Sequence, residues 1–307
     1  MIEAKQLTKV FDGKRALDSV DLKIGEGSIY GLVGSNGSGK STLLRLISGV
    51  YMPCLLYTSD AADGEISVDG EPVFNNVGIK SRIAYLGDTP YFLPGATINE
   101  TAKFCRRMYP AFDNALFNRL IEIFPLDYKA RIATMSKGMQ RQAALITAVS
   151  VSPKYLLLDE AFDGLDVVMR KTLKGILIEG AENRAMTTVI ASHNVRELED
   201  LCDCVGLVHN GRILFNDEVG NLLGRLHKLQ AAFSRVPELT AFSGLDVLKT
   251  ERSGSLVRMI VRGDEEEILS YVNRLSPIFA ECVEPSLEEI FVYELEVNGY
   301  DSKNITE

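Results

Sequence analysis

No apolar run in the sequence approaches the roughly 20 residues needed to cross a bilayer; the longer ones, such as Tyr155–Leu158, are a few residues long. The first residues lack the charged-then-apolar order of a secretory signal, so a cytoplasmic protein is expected. Cysteine is scarce and scattered, at Cys54, Cys105, Cys202, Cys204 and Cys282. With no pair of CxxC elements, structural zinc is not indicated, and Cys202 and Cys204 read as buried structural thiols. A dense Lys/Arg stripe is missing as well. At a net charge of −9 the electrostatic footprint of a duplex-binding surface is absent, and no nucleic-acid partner is expected.

What is present is an ordinary globular balance, 46% hydrophobic and 24% charged over 307 residues. That length suits one large α/β domain with a smaller appendage. Short strands are expected at Glu3–Leu7 and Leu17–Ile24, split by the Asp12-Gly13 turn, as an antiparallel edge. Ser28–Val33 reads as a buried strand. A glycine-rich loop follows, then a helix whose Leu43, Leu44, Leu46 and Ile47 share one face and which stops at Gly49. An inserted helical lobe is expected over about 95–150. Strands at Tyr155–Leu158, Thr188–Ala191 and Val205–His209 then alternate with helices at Val167–Glu179 and Val195–Leu201. That alternation is the βαβ signature of a doubly wound, mostly parallel α/β core. Beyond residue 225 the texture becomes that of a small α+β extension, 226–307, with helix starts at Asp264 and Ser286, each followed three residues later by a glutamate.

GSNGSGKST, comprising Gly34, Ser35, Asn36, Gly37, Ser38, Gly39, Lys40, Ser41 and Thr42, fills every fixed position of G-x-x-x-x-G-K-[ST] between a strand and a helix. Its backbone N–H groups and the helix N-terminus suit a β-phosphate; Lys40 reaches the β/γ oxygens, and Ser41 ligates Mg²⁺. The strand YLLLDE ends on two carboxylates. Asp159 is expected to orient Mg²⁺ through water and Glu160 to polarise the attacking water, so ATP should be hydrolysed and not only held.

MSKGMQRQ, residues 135–142, opens a helix with Ser136 and Gly138 at its N-terminus, a geometry that presents a hydroxyl and amides to an anion. With this element the chain resembles the ATP-binding cassette (ABC) family. Its LSGGQ signature is matched by Ser136 and Gly138, and the S-K-G-M form is familiar among single-cassette exporters. The resemblance covers residues 1 to about 220 and implies a P-loop ABC ATPase fold. It further implies that Phe11 stacks on adenine, that AFDGLD, ending in Asp166, is the D-loop, and that His193 is the switch histidine contacting the γ-phosphate. Two positions depart from the pattern. Asp88 stands where the family usually has the Gln that contacts Mg²⁺ and relays to the permease, and Val167 replaces a proline after the D-loop.

With one phosphate loop and one signature in the chain, the resemblance implies a head-to-tail dimer with itself or a related cassette. Two ATP molecules, each with Mg²⁺, would lie at the interface. It also implies an integral-membrane permease on a separate chain, which would hold the ATPase on the inner face of the membrane. The ending PSLEEIFVYEL is similar to the C-terminal extension of bacterial drug and lantibiotic exporters. A soluble cassette ATPase working on nucleic acid or ribosomes usually has two cassettes, a long coiled coil or zinc-binding cysteines, and none of these is seen. One stretch fits nothing around it. CLLYTSDAAD, Cys54–Asp63, reads as the conceptual translation of a transposon-based sequencing adapter standing in place of a pair of native residues.

Overall fold

The computed structural model describes residues 1–52 and 64–297. The adapter-like segment Cys54–Asp63 lies outside the described residues. Two compact units are present, Met1–Asn216 and Asp217–Glu307, so the division falls ahead of the residue 225 expected from sequence texture.

The first unit is built on a six-stranded sheet. Its strands are β3 (Ile29–Val33), β6 (Ile83–Leu86), β7 (Tyr155–Asp159), β8 (Thr187–Ser192), β9 (Cys204–His209) and β10 (Arg212–Glu218), in the order β10-β9-β3-β8-β7-β6. Every residue of β3, β7 and β8 is buried. That explains their near-continuous apolar composition, since a parallel sheet is covered on both faces. The pairs β3/β8, β3/β9, β7/β8 and β6/β7 are all parallel, with Val33 opposite Ser192, Asp159 opposite Ala191 and Leu86 opposite Leu158. Parallel pairing sends the C-terminal ends of five neighbouring strands, β9, β3, β8, β7 and β6, to one edge of the sheet, where open α/β sheets bind ligands.

A second sheet, β2-β1-β4-β5, joins β1 (Ile2–Phe11), β2 (Lys14–Ile24), β4 (Glu65–Val68) and the short β5 (Glu71–Pro72). Its antiparallel β1/β2 pair is the expected edge. Helix α1 (Lys40–Ile47) buries Leu43, Leu44, Leu46 and Ile47 in the core between the two sheets. The short α2 (Val77–Lys80) precedes β6.

Between β6 and β7 lie α3 (Ile98–Met108), α4 (Asn114–Ile123) and α5 (Lys137–Ser150), with α3 and α4 both packed on α5. Each start is dictated locally. Thr97 and Glu100 form a reciprocal capping box, Asp113 caps α4, and Ser136 caps α5 by accepting from Met139 N–H at 3.3 Å. Helix α6 (Val167–Arg184) connects β7 to β8.

The helix expected over Val195–Leu201 does not form; a single 3₁₀ turn, Val195–Glu197, takes its place. The buried Glu197 accepts from Ser192 Oγ at 3.1 Å and pairs with Arg170 at 2.9 Å. Asn194 caps Arg196 N–H. These bonds tighten the segment into short-range turns that still bury Leu198 and Leu201.

The second unit carries the sheet β12-β13-β11-β14, made from β11 (Leu226–Ala232), β12 (Asp246–Ser253), β13 (Leu256–Arg262) and β14 (Phe279–Val283). Helix α7 (Val219–Arg225) packs beside β11. One face of the sheet, with Leu229, Ala231, Val257 and Met259, forms a core with Ile268 and Val272 of α8 (Glu265–Asn273). On α9 (Leu287–Val297), Glu289 pairs with Lys228 and Glu296 with Lys249, at 3.2 Å for the latter. Both Ser286–Glu289 capping bonds are made, at 3.1 and 3.2 Å, whereas Asp264 caps α8 through Glu266 and Glu267 N–H alone.

Candidate nucleotide-hydrolysing site

Strand β3 hands its chain to the loop Gly34–Gly39, which wraps the start of α1. Two glycines are required by close approach. A Cβ on Gly34 would lie 2.2 Å from the Val208 carbonyl oxygen, and one on Gly39, at φ +114°, would lie 2.6 Å from that of Ala16. The loop leaves a cleft of about 210 Å³ lined by Asn36 to Thr42 with Ala16, Asp88 and Glu160.

Lys40 is 5% exposed, and its Nζ donates to the carbonyls of Gly34 at 2.6 Å and Ser35 at 3.0 Å. Glu160 Oε1 stands 3.8 Å away. Burial pulls the Lys40 ammonium below its usual range, against the opposing pull of Glu160 and Asp159. Among the described residues the buried Ser38 hydroxyl has no hydrogen-bond partner. A buried cation, an unpaired hydroxyl and a helix N-terminus facing one cleft form a donor-rich cradle that fits a polyphosphate.

Asp159, at the end of β7, is fully buried and accepts from Ser41 Oγ at 3.1 Å and from Tyr85 Oη at 3.5 Å. Burial raises its carboxyl above the usual range; the Ser41 bond and Arg45 oppose this, and Glu160 and Asp88 reinforce it. A divalent cation beside Ser41 and Asp159 would supply the missing positive charge, and hydroxyl plus carboxylate is the donor set that Mg²⁺ prefers.

Glu160 occupies the left-handed region at φ 50°, a conformation non-glycine residues hold at sites where surrounding structure imposes it. Its Oε2 lies 2.9 Å from His193 Nδ1, just past the end of β8, and accepts from His193 N–H at 3.3 Å. Asp163 adds a third ligand atom, all three within 4.8 Å of one another.

Lys40, Ser41, Asp88, Asp159, Glu160 and His193 are thus gathered along one sheet edge. Phe11, Ser136, Gly138 and Asp166 do not line that cleft. Phe11 is 40% exposed and packs edge-on against Tyr51, with centroids 5.5 Å apart. Gly138 opposes Gly164, whose carbonyl oxygen a Cβ there would approach to 2.9 Å. Asp166 caps α6 through Met169 N–H at 2.9 Å.

Two contributors carry no local sequence signal. Tyr85 bridges Arg45 to Asp159, accepting from Arg45 Nε at 3.3 Å. Arg141 joins the backbone of Glu160 to Asp88 from positions 19 and 53 residues away. Only the convergence of β6, β7 and α5 brings them in.

The ABC transporter family profile matches residues 17–163. The chain is similar to the ABC transporter ATP-binding protein YtrB of Bacillus subtilis, 28% identical over 95% of this chain and 97% of that one. It is also similar to a probable sulfate/thiosulfate import ATP-binding protein of Chlorella vulgaris, 30% identical over 68% of this chain and 88% of that one. The bacitracin transport ATP-binding protein BcrA of Bacillus licheniformis is 29% identical over 70% of this chain and 68% of its own length. Among solved structures, an ATP-binding subunit of an ABC transporter superposes with a TM-score of 0.64 at 25% identity, covering 72% of this chain and 91% of that one. A dimeric bacterial ABC transporter cassette shares the fold at a TM-score of 0.62 and 19% identity, covering 71% and 99%.

Proposed function

Because the chain belongs to the ABC transporter family, as an ATP-binding and ATP-hydrolysing subunit, we propose that it powers export through a separate membrane permease. The observation that carries the hydrolytic half of this reading is the convergence of Lys40, Ser41, Asp159, Glu160 and His193 on one sheet edge.

In this reading Lys40 and the loop amides bind the β- and γ-phosphates, and Ser41 and Asp159 would hold Mg²⁺, whose charge would offset that of the phosphates. Glu160 orients and deprotonates the attacking water, with His193 fixing the carboxylate and reaching the γ-phosphate. Phe11 supports the adenine. Ser136, Gly138 and Asp166 act in trans. Each lies away from its own chain's cleft, and Ser136 heads α5 as its N-cap, its hydroxyl accepting from Met139 N–H, at the helix end that suits an anion from a second copy. Closure around two nucleotides and reopening after hydrolysis would drive transport through the different affinities of ATP for the two states.

Export is favoured by the S-K-G-M signature, and the similarity to a bacitracin transport protein fits an antibiotic-type cargo. Among the described residues no helix is long and apolar enough to cross a membrane, which fits a partner chain supplying the spans. A groove of about 440 Å³ beside Asp88, lined by Tyr85, Tyr91, Phe92 and Tyr109, offers the permease a docking surface; Tyr91 is 83% exposed there.

Co-expression with the membrane protein of the neighbouring reading frame, expected to carry about six spans, tests the proposal. Co-purification with permease-stimulated ATP turnover is expected. A DNA-repair or ribosome-associated neighbour with no stimulation by any membrane partner would overturn it.

A further inference from the structure

Arg141 lies on the second turn of α5 and is only 9% exposed. Its guanidinium leaves the helical lobe and spans two loops of the core. Nη1 donates to the Glu160 carbonyl oxygen, and Nη2 donates to the Asp88 carbonyl oxygen and, at 3.1 Å, to Asp88 Oδ1. The Glu160 carbonyl also accepts from Asp163 N–H at 3.2 Å, closing the turn that sets Glu160 at its positive φ. Asp88 has a second aspect, because the same residue lines the nucleotide cleft and its side chain is 59% exposed.

We propose that Arg141 is a positioning residue. It holds the Glu160 peptide in the left-handed turn that turns the carboxylate to His193, and it pairs with Asp88, so that α5, the Asp88 loop and the hydrolytic glutamate move as one joint. The side-chain chemistry is selective for arginine. A planar fork with donors on separate nitrogens can serve two carbonyls and a carboxylate at once, which a lysine ammonium cannot do in the same geometry.

The joint also accounts for aspartate at position 88. A neutral glutamine amide would form no ion pair with a guanidinium. A carboxylate forms one, at 3.1 Å. The proposal rests on Glu160 being the hydrolytic carboxylate.

The test uses the full chain with Arg141→Gln and Arg141→Lys, read by amide hydrogen exchange without nucleotide and by steady-state turnover. In Arg141→Gln, exchange at 86–90 and 160–163 should rise about tenfold while β3 and β8 keep wild-type protection, the signature of local opening. Turnover should show kcat lowered about tenfold with KM for ATP within about twofold, as expected when a group acting on the transition state is mispositioned. Arg141→Lys should restore only part of either effect. Wild-type exchange at both loops in Arg141→Gln, exchange raised evenly through the sheet, or full rescue by lysine would each overturn the proposal. Wild-type turnover in Glu160→Gln would remove the role of Glu160 and leave the exchange result standing, so the two failures are distinguishable.

Discussion

His193 Nδ1 lies 2.9 Å from Glu160 Oε2, although 33 residues separate them. The same carboxylate oxygen accepts the His193 backbone N–H at 3.3 Å. Two contacts from one residue leave the carboxylate little rotational freedom. The parallel pairing of β7 with β8 is what sets this pair in place.

Glu160→Gln keeps the size and the contact to His193 but removes the base. Nucleotide affinity should stay within about threefold of wild type while turnover falls at least about a hundredfold, the usual scale of general-base loss. An ATP-dependent dimer should accumulate in size-exclusion chromatography. Turnover near the wild-type rate would exclude Glu160 as the base.

Lys40→Ala removes the one ammonium buried in the loop. Loss of a charge-assisted contact to phosphate should weaken nucleotide binding by about tenfold or more in calorimetry. Unchanged affinity would displace the phosphates from this cleft.

Asp69 links three distant segments by accepting from Tyr155 Oη at 2.5 Å, Lys154 at 2.9 Å and Arg82 at 3.0 Å. Burial alone would raise its carboxyl, but the hydrogen bonds from Tyr155, Lys154, the amino terminus and Arg82 outweigh it and hold the group well below its ordinary 3.8. The stability it contributes is therefore fully present above pH 3.8 and is lost as pH falls toward the depressed value. Asp69→Asn should lower Tm at pH 7, and the difference from wild type should shrink below pH 3.8. A pH-independent difference would rule out this linkage.

Ser286→Ala removes the side-chain half of the α9 capping box. A loss of about 1 kcal/mol is expected, visible as faster amide exchange in Leu287–Ile290 with the first unit unaffected. Uniform destabilisation of both units would contradict a local cap.

The phosphate loop, the paired carboxylates after Leu158 and the cap at Ser136 were legible because each is a local pattern: glycine spacing, an apolar run ending in charge, a helix N-cap. The expected helix at Val195–Leu201 failed for a converse reason. Its apolar spacing was real, and Leu198 and Leu201 are buried, but Glu197 is drawn to Ser192 five residues back and to the distant Arg170, and the turns are shortened.

By itself the sequence determined the family of fold, the residues that could meet a phosphate and a cation, and the cap of each helix in the lobe, since these depend on neighbours a few positions apart. The tertiary structure decided which carboxylate oxygen faces His193, that Asp88 is paired with Arg141, and that Phe11, Ser136, Gly138 and Asp166 lie off the cleft of their own chain. Those relations depend on strand order and on side chains meeting across 19 to 53 residues, distances over which no spacing rule in the sequence operates.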